Sequence, residues 1–174
     1  LSGVDGLVYV SKHRTTKNLL SAIVGAAALI PTLAAIKSGK KILLANKESL
    51  IMSGSLMIKA AKKSGATIIP VDSEHNAILQ IMTTAGLDFN NLRKSRHREK
   101  VDHITLTASG GPFLNFTNKQ LSRVTPKQAI KHPKWKMGKK ISVDSATMMN
   151  KGLEIIEAAI LFNLLPNQIN VLIH

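Results

Sequence analysis

The residues best suited to chemistry are two carboxylates two positions apart, Asp72 and Glu74, in the run Pro70-Val71-Asp72-Ser73-Glu74-His75-Asn76. On extended backbone both project to the same side, and such a pair of oxygen donors suits a hard divalent cation such as Mg²⁺ or Mn²⁺. Glu154 is the best third carboxylate. It lies on an expected helix with Asn150 and Lys151 at i−4 and i−3 on the same face. Taken alone, Asp-x-Glu reads more readily as a helix cap at Asp72, with Glu154 on a helix surface. Ser109-Gly110-Gly111 and Ser145 suggest an oxyanion or phosphate site: glycine lets backbone approach closely, seryl hydroxyls donate, and Lys151 adds a point charge. The alternatives are a simple turn at SGGPF and a helix N-cap at Ser145. Asn46-Lys47-Glu48-Ser49 could position a cofactor ribose or a substrate, or could simply end a strand and cap a helix through Ser49. The only tryptophan, Trp135, lies in His132-Pro133-Lys134-Trp135-Lys136-Met137-Gly138, where it either covers a ligand as part of a lid or packs on a sheet face.

These residues must be positioned by the elements around them. Apolar runs of strand length, Lys41–Ala45, Thr67–Val71, His103–Thr107 and Lys140–Val143, alternate with stretches of helical spacing at Ser49–Ser64, His75–Ala85, Thr125–Lys131 and Thr147–Phe162. Strands alternating with helices predict an α/β chain with a largely parallel sheet, with Pro70 at an edge or a strand end. Each strand runs into polar residues at its carboxyl end, where loops and helix N-termini of parallel sheets converge on ligands. One composite site is therefore expected. Asp88–Lys100 breaks the rhythm as a polar, basic, exposed loop.

Composition narrows the field further. The chain has 174 residues, 44% of them hydrophobic and 20% charged, with a net charge of +14 and no cysteine. A disulfide framework, a zinc ribbon and a thiol nucleophile are excluded, so any metal must sit on carboxylate, imidazole or neutral oxygen. The positive charge fits a nucleic-acid binder, an enzyme for phosphorylated substrates, or a piece of a longer, better balanced chain. With 3% aromatic residues there are few stacking platforms for RNA or DNA, and no recognition motif is present. There is no GxGxxG or GxTGxxG fingerprint and no P-loop. The first eighteen residues lack the pattern of a signal peptide, and Leu19–Ile36, the one apolar stretch near membrane length, reads better as buried helical turns around Pro31. Leu1 at the start and a strand-like Ile169–His174 at the end suggest a piece of a longer protein.

The strings LLANKESL, PVDSEHNAI, LTASGGPF and HPKWKMGKKISVDSATMMNKGLEIIEA closely resemble the 1-deoxy-D-xylulose 5-phosphate reductoisomerase family, and the likeness runs from about Lys17 to His174. The resemblance implies the end of a Rossmann-like NADPH-binding domain (1–71), then an α+β catalytic domain (72–174) with the site at strand carboxyl ends and a lid at about 131–140. It implies that 1-deoxy-D-xylulose 5-phosphate is rearranged to an aldehyde and reduced by NADPH to 2-C-methyl-D-erythritol 4-phosphate, in non-mevalonate isoprenoid synthesis. Asp72, Glu74 and Glu154 would hold Mg²⁺, Mn²⁺ or Co²⁺. Ser109, Ser145, Asn150 and Lys151 would bind the substrate, chiefly its phosphate. Lys47, Ser73, Glu74, His132 and Glu154 would complete that pocket, with Lys47, Glu74 and His132 in catalytic roles. Asn46, Glu48 and Gly138 would contact NADPH, and Trp135 and Met137 would belong to the lid. The resemblance also implies a homodimer when intact, in bacterial cytoplasm or a plastid-type compartment, with no nucleic-acid or membrane partner. It implies that the family's GxTGxxG loop and C-terminal helical domain lie outside these residues. Ala108 stands where the family has glycine in LTGSGG.

Overall fold

The computed structural model describes residues 1–87, 99–131 and 137–174. Helix α1 (Gly3–Ser11) precedes strand β1 (Asn18–Ser21), a 3-10 turn (Gly25–Ala28) and α2 (Leu29–Lys37). Then come β2 (Lys41–Leu44), α3 (Lys47–Ser64), β3 (Thr67–Pro70), α4 (Ser73–Thr84) and β4 (Ile104–Ala108). Two short helices, α5 (Asn118–Leu121) and α6 (Pro126–Ala129), lead to α7 (Lys139–Ala146), α8 (Met149–Phe162), a 3-10 turn (Pro166–Gln168) and β5 (Ile169–Ile173).

The parallel α/β architecture is as expected. β1, β2 and β3 form one parallel sheet in that order, and β4 and β5 form a second parallel pair. Pro70 ends the edge strand β3, opposite Leu44, where its missing N–H costs least. Both sheets share one hydrophobic core: Ile42, Leu44 and Ile68 of the first and Ile104, Leu106 and Ile169 of the second bury into the same cluster as Leu161 and Phe162 of α8. Helix α3 reaches α8 closely because residue 54 is glycine; a Cβ there would lie 2.8 Å from the Ile160 side chain. Ser53 just before it interrupts the helical backbone (φ −143°, ψ 23°).

Two expectations about elements are corrected. Lys140–Val143 is not a strand but lies within α7. Its apolar residues Ile141 and Val143 are 37% and 39% exposed, while Ser142 and Ala146 are buried, a burial rhythm of four rather than two. Lys140 and Asp144 pair at 2.6 Å across one helical turn, which the sequence spacing permitted. Leu19–Ile36 is not simply a pair of helical turns: Leu19–Ser21 belongs to β1, the 3-10 turn begins at Gly25, and α-helix begins only at Leu29. Pro31 does sit in the first turn of α2, where no intrahelical N–H is required. Among the described residues no helix is long and apolar enough to cross a membrane. Of the expected loop Asp88–Lys100, residues 88–98 lie outside the described residues.

Candidate active site

The carboxyl ends of β2, β3, β4 and β5 face one cavity of about 510 Å³. The β2–α3 junction supplies Lys47, the β3–α4 junction Asp72, Ser73 and Glu74, the loop after β4 Ser109, the end of α7 Ser145, and the first turns of α8 Asn150, Lys151 and Glu154. Met137, ahead of α7, also lines it. Ten of the residues singled out in the sequence thus meet at one place.

Charge organises the cavity floor. One oxygen from each of Asp72, Glu74 and Glu154 lies within 4.8 Å of the others. Lys47 Nζ sits 2.7 Å from Asp72 Oδ2 and 3.3 Å from Glu154 Oε1, and donates to Asn150 Oδ1 at 2.8 Å. Lys151 Nζ bonds Glu74 Oε1 at 2.9 Å and pairs with Glu154 Oε2. Asn150 donates Nδ2 to Glu154 Oε1 at 2.5 Å, so both i−4 and i−3 neighbours of Glu154 hold it, as the helix spacing predicted. Ser73 Oγ donates to Glu74 Oε2 at 2.6 Å.

Asp72 occupies the N-cap position of α4 yet makes no capping hydrogen bond. Its oxygens turn instead toward Lys47 and His75. The capping alternative is therefore overturned, and so is the surface reading of Glu154, which is 1% exposed. Burial pushes the Asp72 carboxyl up, but the His75 ring and the Lys47 ammonium outweigh it and hold the group below the ordinary carboxylate range. Burial opposes the Lys47 charge as well, but Asp72 and Glu154 overcome it and keep the amine an ammonium. Three carboxylates around two ammonium groups form a hard-oxygen cage, matched to the donor preference of Mg²⁺ or Mn²⁺.

The phosphate-type features are held by close backbone contact. Gly111 (φ +69°) passes so near the end of α7 that a Cβ would lie 2.4 Å from the Ser145 carbonyl oxygen. The Ser109 loop and Ser145 are thereby docked on each other. Ser145 is inside α7 rather than at an N-cap. Ala108 ends β4 in ordinary strand conformation, so the missing glycine requires no distortion there.

The proposed cofactor contacts lie elsewhere. Asn46, 2% exposed, caps α3 by accepting from Ser49 N at 2.8 Å and donates to the carbonyls of Ile23 and Gly25. Ser49 is the recipient of that cap, not its source. Glu48 pairs with Lys140, and Gly138 is the N-cap residue of α7. None of the three lines the cavity. His132 and Trp135, the remaining site expectations, lie outside the described residues.

Several residues escaped sequence reading. His174 reaches the cavity because β5 runs parallel to β4, a placement the carboxyl-end argument already contained. Met148 lines it from a left-handed backbone conformation (φ 59°) that joins α7 to α8. His75 and Glu157, behind Asp72, are buried; a third glutamate-face position three residues after Glu154 was their one visible signal.

Fold and site together define a parallel α/β protein with a lysine-braced carboxylate centre at the carboxyl edge of its sheets. Residues 68–162 match the model of the 1-deoxy-D-xylulose 5-phosphate reductoisomerase C-terminal domain, and residues 1–54 that of 1-deoxy-D-xylulose 5-phosphate reductoisomerase. The chain belongs to the 1-deoxy-D-xylulose 5-phosphate reductoisomerase family. It is 54% identical over 174 residues to the Acinetobacter baylyi reductoisomerase, covering 100% of this chain and 43% of that protein. A Shewanella relative is 55% identical over 173 residues, covering 99% and 43%. The chain therefore spans about 43% of the length of these curated relatives. A crystal structure of DOX-P reductoisomerase in complex with NADPH, fosmidomycin and magnesium matches with TM-score 0.91 and 52% identity, over 100% of this chain and 42% of that one. The Zymomonas mobilis enzyme in complex with NADPH matches with TM-score 0.81 and 44% identity, over 98% and 41%. These relatives lend no support to the nucleic-acid alternative.

Proposed function

We propose that this chain carries the metal- and substrate-binding part of an enzyme that rearranges 1-deoxy-D-xylulose 5-phosphate and reduces the product with NADPH to 2-C-methyl-D-erythritol 4-phosphate. The observation that carries this reading is the convergence of Asp72, Glu74 and Glu154 with two ammonium groups and three serines on one cavity. Asp72, Glu74 and Glu154 would hold a divalent cation, which would supply Lewis-acid polarisation of substrate oxygen. Lys151, Asn150, Ser109 and Ser145 orient the phosphorylated chain of the substrate. Lys47, Glu74 and His132 take the catalytic roles, the Lys47 ammonium stabilising negative charge that develops on oxygen. Ser73 fixes the Glu74 carboxylate that it hydrogen-bonds. Trp135 and Met137 belong, as the family resemblance implies, to a lid at about 131–140 that keeps water from the reaction. Asn46, Glu48 and Gly138 form the edge of the nicotinamide-cofactor site, and the division of labour falls at 1–71 and 72–174. Family membership further supports a homodimer, and its bacterial relatives support a cytoplasmic setting.

Calorimetric titration with 1-deoxy-D-xylulose 5-phosphate tests this. Weak binding that requires Mn²⁺ and disappears in Asp72→Asn is expected. No NADPH oxidation is expected from the 174 residues alone, since the family's GxTGxxG loop is not among them. Substrate binding indifferent to both Mn²⁺ and Asp72→Asn would overturn the proposal.

A further inference from the structure

Behind the carboxylate cluster, on the side away from the cavity, His75 is 0% exposed on α4 and Glu157 is 1% exposed on α8. Neither lines the cavity, and neither is accounted for by the function proposed above. The imidazole is clamped on three sides. Its Nε2–H donates to the main-chain carbonyl of Glu154 at 2.9 Å, its face stacks on Phe162 at 6.3 Å between centroids and 16° between planes, and its Nδ1 edge points between two carboxylates. That edge lies 3.5 Å from Glu157 Oε2 and 3.9 Å from Asp72 Oδ1. A carbonyl can only accept, so Nε2 must carry the proton. The ring orientation is thus fixed by α8, and the orientation of Nδ1 toward Asp72 follows from it.

The consequence is mechanical as well as electrostatic. Asp72 and Glu74 come from the β3–α4 junction, whereas Glu154 comes from α8. On the cavity side Lys151 of α8 pairs with Glu74 of α4; behind the cluster His75 links the same two elements, through the backbone of the very residue that supplies the third carboxylate. Glu157 Oε2 and His75 Nδ1 are buried and find no well-formed hydrogen bond elsewhere, which leaves them to face each other and Asp72. Buried polar groups without a packing or binding role are costly, so such a pair is retained for what it holds in place.

We propose that His75 and Glu157 form a positioning pair that sets the orientation of Asp72 and the spacing between the β3–α4 carboxylates and Glu154, and thereby the affinity of the site for a divalent cation. Neither touches substrate. The inference rests on the metal-site reading given above. Partners behind ligands commonly alter metal affinity by about 10- to 100-fold when removed.

Mn²⁺ binding to the 174-residue chain, followed by electron paramagnetic resonance and calorimetry beside thermal melts, tests it. His75→Phe keeps the ring stack on Phe162 and loses both polar edges; Glu157→Gln keeps shape and loses one carboxylate. Both are expected to weaken Mn²⁺ binding by at least about tenfold, and to broaden the spectrum of the bound ion, while melting as cooperatively as the parent without metal. His75→Gln, which retains a donor toward the Glu154 carbonyl, should recover much of the affinity. Asp72→Asn is the ligand control. If it abolishes Mn²⁺ binding while His75→Phe and Glu157→Gln bind like the parent, the positioning pair is overturned and the metal site stands. If Asp72→Asn binds Mn²⁺ like the parent, the metal-site reading itself fails. Should His75→Phe not fold, the isosteric Glu157→Gln decides alone: parental Mn²⁺ affinity in it overturns the proposal.

Discussion

Lys47→Met isolates what holds the carboxylates together in the absence of a cation. The ammonium is 11% exposed and contacts Asp72 at 2.7 Å and Glu154 at 3.3 Å, while Glu154 is 1% exposed. Methionine has a comparable length and removes only the charge and the donors. Breaking a fully buried pair costs about 3–5 kcal/mol because the partner charge is stranded. Here Asp72 is 17% exposed and opens on the cavity, and Lys151 still compensates Glu154. Water and Lys151 therefore absorb part of the loss, and about 2–3 kcal/mol is expected. Urea unfolding in EDTA measures it. The same substitution removes a positive charge that competes with a bound cation, so Mn²⁺ should bind the variant more tightly than the parent, and at about 100-fold above its dissociation constant should restore about 2.7 kcal/mol. Equal stability of parent and variant in EDTA would refute the charge argument. Weaker Mn²⁺ binding by the variant would show that Lys47 organises the ligands rather than competing with the ion.

Other consequences are as direct. Gly111→Ala combines a left-handed backbone with a Cβ 2.4 Å from the Ser145 carbonyl, and should cost about 2–4 kcal/mol in chemical denaturation; a loss under about 1 kcal/mol would mean that the Ser109 loop and α7 separate freely. Burial raises the Glu157 carboxyl from 4.5 to about 7, with the His75 charge opposing. A raised folded-state value gives stability that is complete below the ordinary glutamate range and is lost as pH climbs through about 7. His75, whose own value burial lowers but Asp72 and Glu157 raise further, loses stability in the same direction. Metal-free thermal midpoints should accordingly fall between about pH 5 and about pH 8, by the equivalent of about 3 kcal/mol from Glu157, and Glu157→Gln should flatten that slope; an unchanged slope would contradict it. Lys140→Met, at a site 45% exposed, should change stability by no more than about 1 kcal/mol, yet release α7 from Glu48 and speed amide exchange in its first turn; unchanged exchange would mean that the ion pair does not restrain the helix.

What sequence reasoning could reach was set by how local the cause was. The strands Lys41–Leu44 and Thr67–Pro70 and the helix carrying Glu154 are decided by apolar periodicity, and their carboxyl ends had to meet once the sheet was parallel. Lys140–Val143 misled because two β-branched residues separated by one position mimic strand alternation, while the cue that wins, Lys140 to Asp144 across a turn, is weak by itself. Asn18–Ser21 was hidden because an alanine-rich continuation masked where strand ended and helix began. Asp72 shows the limit most clearly. An aspartate ahead of a helix is a cap on local grounds, and only a lysine 25 positions earlier and a histidine on the next turn redirect its oxygens.

The same residues give the chain's charge a different meaning. Only ten acidic residues stand against 24 lysines and arginines, yet Asp72, Glu74, Glu154 and Glu157 gather within one small volume, and Glu48 and Asp144 share Lys140 nearby. A protein this basic has ammonium groups to spare for neutralising acids at its surface, where pairing costs little and contributes little. Concentrating scarce carboxylates in a buried cluster is costly by comparison, since each must be desolvated and held by a lysine, an asparagine or a histidine. Hydrophobic residues of equal volume would fill the space between α4 and α8 more stably. The arrangement is therefore intelligible as a site rather than as a core: an acidic centre for a cation set in a positive field that draws phosphorylated ligands toward it.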